Sequence, residues 1–129
     1  MKQIRKNLYL GDIEDAKNAK LLKSIGITTI LSVCRSNFNL PEGIKILKVG
    51  LEDSSNNESY MISLAVYVLK RLLKEGEKVL VHCDCGIFRS PFIIASYLAI
   101  KESKTLEEAY KELKEIAPEI SDDNLLTKK

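Results

Sequence analysis

Within nine residues, HCDCGIFRS from His82 to Ser90, the chain places a histidine, two cysteines, a glycine, an arginine and a serine. A loop joining a buried strand to a helix start can aim several backbone N–H groups inward, and Gly86 permits torsions that a side chain would forbid. With the first turn of the following helix, those groups form an anion site, and phosphate is the commonest tetrahedral anion to fill one. Arg89 stands six positions after Cys83, where its planar fork can hold two phosphate oxygens, a geometry that lysine does not offer. The same positive field acts on Cys83. Helix N-termini and cationic neighbours bring a thiol pKa from about 8.5 to about 3.5–7.5, which makes the thiolate available as a nucleophile. Attack on phosphorus gives a phosphocysteine and splits the reaction into two steps. Ser90 can donate a hydrogen bond to the thiolate as that intermediate breaks down. His82 can orient the loop through its ring N–H; the plainer role, a satisfied half-buried histidine, is close to the same thing.

The elements that must position these groups are legible from periodicity. Lys78–Cys83 is short, β-branched and apolar, which predicts a buried central strand. Ser90 is placed as an N-cap with Pro91 in the first helical position, and PFIIASYLAIK is apolar nearly all round, as in a helix buried within a domain. Upstream, Lys2–Leu10 reads as a strand or hairpin. Asp15–Ser24 reads as a short helix with Ala16, Ala19, Leu22 and Ile25 inward, stopped by Gly26. ITTILSV, residues 27–33, and IKILKVG, residues 44–50, read as strands separated by a loop at Asn39, Pro41 and Gly43. Asn56 and Asn57 offer caps for a long crossover helix with Met61, Leu64, Ala65, Val68, Leu69, Leu72 and Leu73 on its apolar face, ending at Gly76. Thr105 and Glu108 form a capping box for a helix with Leu106, Ala109, Tyr110, Leu113 and Ile116 inward, closed by Pro118. The tail 121–129 is polar and expected to fray. Strands alternating with helices predict a three-layer α/β fold around a mostly parallel sheet of four to five strands, with sites beyond the carboxyl ends of the strands.

Composition narrows the function. The 129 residues with 45% hydrophobic content suit one domain, 1–129, able to bury a core without disulfides. A net charge of +2, from 20 basic and 18 acidic residues, gives no single-sign field pointing to nucleic acid or an anionic membrane. PFIIASYLAI is about half the length needed to cross a bilayer. The expectation is a soluble, cytoplasmic monomer. Three cysteines argue against a disulfide framework, and the single histidine, His82, weakens a zinc site or a serine-histidine hydrolase.

HCDCGIFRS matches HCxxGxxRS, the signature of the cysteine-dependent protein tyrosine phosphatase superfamily, at every fixed position. NLYLGDIEDAKN, GITTILSV, LEDSSNNE, the long helix before Gly76 and SPFIIASYL resemble, in order and spacing, a small dual-specificity phosphatase, and the likeness covers nearly the whole chain. The resemblance implies Cys83 as nucleophile, Arg89 as phosphate clamp, Ser90 as aid to thiolate release, and Asp84, Cys85, Gly86, Ile87 and Phe88 as the backbone cradle. It also implies a general acid in LEDSSNN, Asp53 in preference to the adjacent Glu52, and no cofactor or metal. The acid protonates the leaving alkoxide or phenoxide and then, as a base, activates the water that hydrolyses phosphocysteine.

Cys34 follows the strand ITTILSV, and some relatives carry at the matching place a cysteine that forms a reversible disulfide with the nucleophile. Cys34 is therefore a candidate redox partner for Cys83, with a small buried hydrophobe as the alternative. Cys85 reads as a loop filler, since a Cys83–Cys85 bond demands a distorted ring. The substrates implied are phosphorylated proteins or peptides, phosphotyrosine and phosphoserine or phosphothreonine both fitting a shallow pocket. No lysine stands inside the loop, which disfavours phosphoinositides and RNA triphosphate ends. A catalytically weak phosphate-binding module and a phosphatase of non-protein phosphomonoesters are the alternatives. A thiol-redox protein lacks the expected CxxC spacing.

Overall fold

The structure, a computed structural model, describes residues 1–35, 39, 41–52, 57–84 and 88–121. Its sheet has five strands, β1 (Lys2–Arg5), β2 (Leu8–Gly11), β3 (Thr29–Ser32), β4 (Lys45–Lys48) and β5 (Val79–His82), in the order β1-β2-β5-β3-β4. Only the β1–β2 hairpin is antiparallel; β2 and β3 flank β5 in parallel, and β4 runs parallel to β3. Among the described residues five helices accompany it: α1 (Ile13–Lys17), α2 (Ala19–Ile25), α3 (Ser59–Lys74), α4 (Arg89–Lys101) and α5 (Leu106–Ile116). This is the expected mostly parallel α/β sheet.

Strand alternation divides the core into two layers. Leu8, Leu10, Leu31, Val33, Val79 and Val81 share one cluster with Leu69 of α3, Ile93, Ile94 and Leu98 of α4 and Leu113 of α5. Tyr9, Ile30 and Leu80 pack with Ala16 and Leu22 from α1 and α2 in the other. β5 is buried at every residue, whereas β4, with Lys45 and Lys48 exposed, is an edge strand. α4 is buried from Arg89 through Ala95 but emerges at Ile100, which is 71% exposed, so its last turn is not enclosed as the sequence suggested.

Three local expectations are corrected. The region read as one helix, Asp15–Ser24, is two, because Asn18 leaves the helical conformation (φ −90°, ψ 83°) and its side chain caps α2 by accepting from Leu21 N at 3.1 Å. The apolar spacing of Ala16, Ala19 and Leu22 runs across the break and conceals it. The buried face of α3 is Ile62, Ala65, Leu69 and Leu72, while Leu64, expected inward, is 46% exposed. α4 begins at Arg89 with Phe88 as its N-cap, two residues before the expected Ser90 cap and Pro91 start. The capping box of α5 forms as expected, Thr105 Oγ1 accepting from Glu108 N at 3.0 Å and Glu108 Oε1 from Thr105 N at 2.9 Å.

Candidate active site

Parallel register brings the carboxyl ends of β3, β4 and β5 to one edge, with Ser32 opposite both His82 and Lys48. The chain leaving these strands stays paired for one more step. Val33 N donates to His82 O at 3.0 Å and Leu51 N to Val33 O at 3.0 Å. Cys83, Cys34 and Leu51–Glu52 therefore emerge side by side, an adjacency that periodicity could not prove.

Cys83 is 2% exposed, and its Sγ lies 3.2 Å from Ser90 Oγ. The early start of α4 explains this contact. With Phe88 at the N-cap, Arg89 and Ser90 become the first two helical residues, and the Ser90 hydroxyl meets Cys83 instead of capping a helix end. Phe88 takes the cap with its backbone alone, its carbonyl accepting from Phe92 N at 3.2 Å, while its ring packs partly buried on the main core.

Arg89 is 6% exposed, and its guanidinium faces two ways. Nη1 donates to Leu51 O at 3.1 Å and Nη2 to Asp84 Oδ2 at 2.8 Å. Arg89 thus reaches both Asp84, next to Cys83, and Leu51, two residues before Asp53. Asp84 contributes a carboxylate here as well as the backbone that the sequence reading assigned to it. Its carbonyl accepts from Ile13 N at 3.2 Å, which braces the loop against α1. Gly11, at the end of β2, is crowded by other groups: a Cβ there would stand 2.7 Å from Asp15 Oδ2 and 3.0 Å from Leu80 Cδ1.

His82 is fully buried, with Nδ1 3.1 Å from Cys83 O. A carbonyl only accepts, so Nδ1 carries the proton and the ring fixes the peptide beyond Cys83. Burial pushes the imidazole below its ordinary value of 6.5, against the opposing bond to Cys83 O. The unfolded chain therefore takes up a proton near pH 6.5 that the folded chain refuses, so this contribution to stability is full above about pH 6.5 and is lost as pH falls below it. Since His82 is the one histidine of the chain, urea unfolding of wild type between pH 7.5 and 5.5 is expected to show this loss and His82→Asn to flatten it. Parallel pH dependences in the two proteins would contradict the assignment.

Cys34 is fully buried, its Sγ 3.6 Å from Ser32 Oγ, and neither Cys34 nor Cys83 is disulfide-bonded. Asp53, Cys85, Gly86 and Ile87 lie outside the described residues, as do Asn56 and the tail 122–129. Asn57, expected as a helix cap, is 6% exposed and turns its carboxamide to Glu52 instead; the N-cap of α3 is Glu58, which caps with no side-chain bond. The Glu52 carboxylate faces Arg35 Nη1 at 3.3 Å. Sequence reasoning missed Leu51 and Asn57, whose parts depend on contacts with distant segments. The only local signal was a second asparagine just after the acidic turn. Among the described residues, no group of His, Cys, Asp and Glu is placed to hold a metal ion, and no helix is long and apolar enough to cross a membrane.

A buried cysteine at the carboxyl edge of a parallel sheet, with an arginine and a serine on the helix turn behind it, is the arrangement expected from the resemblance to the cysteine-dependent protein tyrosine phosphatase superfamily. Within it, the family model for the dual specificity phosphatase catalytic domain matches residues 8–128, and the chain belongs to that family. Dual specificity protein phosphatase 26 of Homo sapiens is 34% identical over 116 residues, covering 84% of this chain and 55% of that protein. Dual specificity protein phosphatase 22-A of Danio rerio is 32% identical over 117 residues, covering 90% and 56%. The chain spans about half the length of these curated relatives. Among solved structures, DUSP15 superposes with a TM-score of 0.87 at 24% identity, covering 95% of this chain and 80% of that one. Human DUSP28 superposes with a TM-score of 0.84 at 20% identity, covering 94% and 86%. These likenesses show the fold.

Proposed function

We propose that this protein hydrolyses phosphotyrosine and phosphoserine or phosphothreonine in proteins through a phosphocysteine intermediate, as a cytoplasmic monomer. The observation that carries this reading is the meeting of Cys83 Sγ with Ser90 Oγ at 3.2 Å on the turn that also holds the buried Arg89. The Cys83 thiolate attacks phosphorus as the ester P–O bond breaks, and Asp53 gives its proton to the departing oxygen. Water then attacks phosphocysteine, the Asp53 carboxylate takes the proton of that water, the P–S bond breaks, and the Ser90 hydroxyl donates to the returning thiolate. Asp53 is preferred to Glu52 because the family resemblance points to it and because Glu52 is engaged by Arg35. The near-neutral charge of +2 supports protein rather than nucleic-acid substrates.

The test is hydrolysis of matched phosphotyrosine and phosphothreonine peptides in excess chelator, with Asp53→Asn beside the wild type. Turnover that resists the chelator and falls about 10²-fold in Asp53→Asn is expected for a general acid–base, and the peptide ratio sets the specificity. One contact favours a second reading, a weak phosphate-binding module: the Asp84 carboxylate already occupies part of the Arg89 fork. No turnover on either peptide, with inorganic phosphate still bound, would shift the assignment to that module.

A further inference from the structure

Two residues precede the candidate acid, and each of their backbone polar groups has a partner. Leu51 N donates to Val33 O at 3.0 Å, and Leu51 O accepts from Arg89 Nη1 at 3.1 Å. Glu52 N donates to Asn57 Oδ1 at 2.6 Å, and Glu52 O accepts from Asn57 Nδ2 at 2.8 Å. One carboxamide thus grips both sides of Glu52, and the carbonyl it holds belongs to the peptide group whose nitrogen is that of Asp53. Asn57 is 6% exposed and both bonds are partly buried, where a hydrogen bond is electrostatically stronger than in water.

We infer that Asn57 is a positioning residue for the general acid: its two bonds to Glu52, with the Arg89–Leu51 bond beside them, fix the direction in which the chain enters Asp53. This rests on the proposed role of Asp53. The chemistry selects asparagine. The grip needs one donor and one acceptor on a single planar group, which a carboxamide supplies, whereas a carboxylate accepts only and a serine hydroxyl is shorter. Placement errors of about 1 Å at a reacting group can cost about 10²-fold. Arg89 joins the same two residues to the phosphate clamp, so clamp and acid share one anchor.

The test compares phenyl phosphate, whose leaving group needs protonation, with p-nitrophenyl phosphate, whose leaving group needs it far less. Wild type, Asn57→Ala, Asp53→Asn and the double variant are assayed across pH, with thermal unfolding recorded for each. Asn57→Ala is expected to lose about 10²-fold in kcat/KM on phenyl phosphate and little on p-nitrophenyl phosphate. It should also weaken the fall in rate at high pH that reports the acid. The double variant should be no slower than Asp53→Asn, because Asn57 acts only through Asp53. Asn57→Asp keeps the acceptor for Glu52 N and loses the donor to Glu52 O. It is expected to show a smaller loss with the same substrate bias, and it serves if the alanine variant unfolds. Equal losses on both substrates, or losses that add to those of Asp53→Asn, would overturn the inference while leaving the acid in place. Absence of substrate bias in Asp53→Asn itself would sink the acid assignment, and the inference with it.

Discussion

Cys83→Ser is expected to bind a phosphotyrosine peptide with near wild-type affinity and to turn it over at least about 10⁴-fold more slowly, since removal of a covalent nucleophile can cost up to about 10⁶-fold. The two properties separate because they reside in different atoms. On the proposed mechanism, affinity for the phosphoryl group comes from the Arg89 guanidinium and the helix N-terminus, which the substitution leaves unchanged. Bond making comes from sulfur, and a hydroxyl with a far higher pKa is a poor nucleophile without a general base beside it. Ser90 Oγ, 3.2 Å from Sγ, is itself a hydroxyl and supplies no such base. Binding is measured by titration calorimetry and turnover by phosphate release. Retention of more than a few per cent of the rate would mean that Cys83 is not the nucleophile.

Arg89→Lys is expected to lower kcat/KM by about 10³-fold, comparable with removing a preorganised donor from an oxyanion site. Charge is conserved in this change, so the loss measures geometry. A guanidinium can face two phosphate oxygens in one plane, whereas an ammonium is a point charge on a flexible stem. A second cost falls on the fold. Lysine leaves the carbonyl of Leu51 without its 3.1 Å donor, and an unsatisfied buried acceptor costs about 1–3 kcal/mol. The variant should therefore unfold at lower temperature as well as turn over slowly. The two effects are separated by measuring activity well below the melting transition. Wild-type kcat/KM in folded Arg89→Lys would remove arginine from the phosphate clamp.

Much of this was legible before any coordinates, for a local reason. Cys83, Arg89 and Ser90 are held within eight residues, so a strand, a tight loop and a helix start bring them together almost whatever surrounds them. The strands likewise declare themselves by β-branched apolar runs, and α5 by its capping box. Legibility failed where two local signals competed. Ser90 and Asn57 both have good capping chemistry, and at each the side chain has a partner, Cys83 or Glu52, that helix propensity does not include. Asn18 was hidden by an apolar period that continues across the break it makes.

The sequence by itself determined the family, the clustering of Cys83, Arg89 and Ser90, and the order of strands and helices, because each is written in neighbouring residues. Only the tertiary structure decided what stands beside that chemistry. Parallel pairing of β3 with β4 and β5 sets Val33, Leu51 and His82 in one hydrogen-bonded row. That row lets Arg89 reach a carbonyl 38 residues away in sequence. Such bonds depend on strand register, which propensity and spacing do not encode, and it is through them that Arg89 is tied to the segment leading to Asp53.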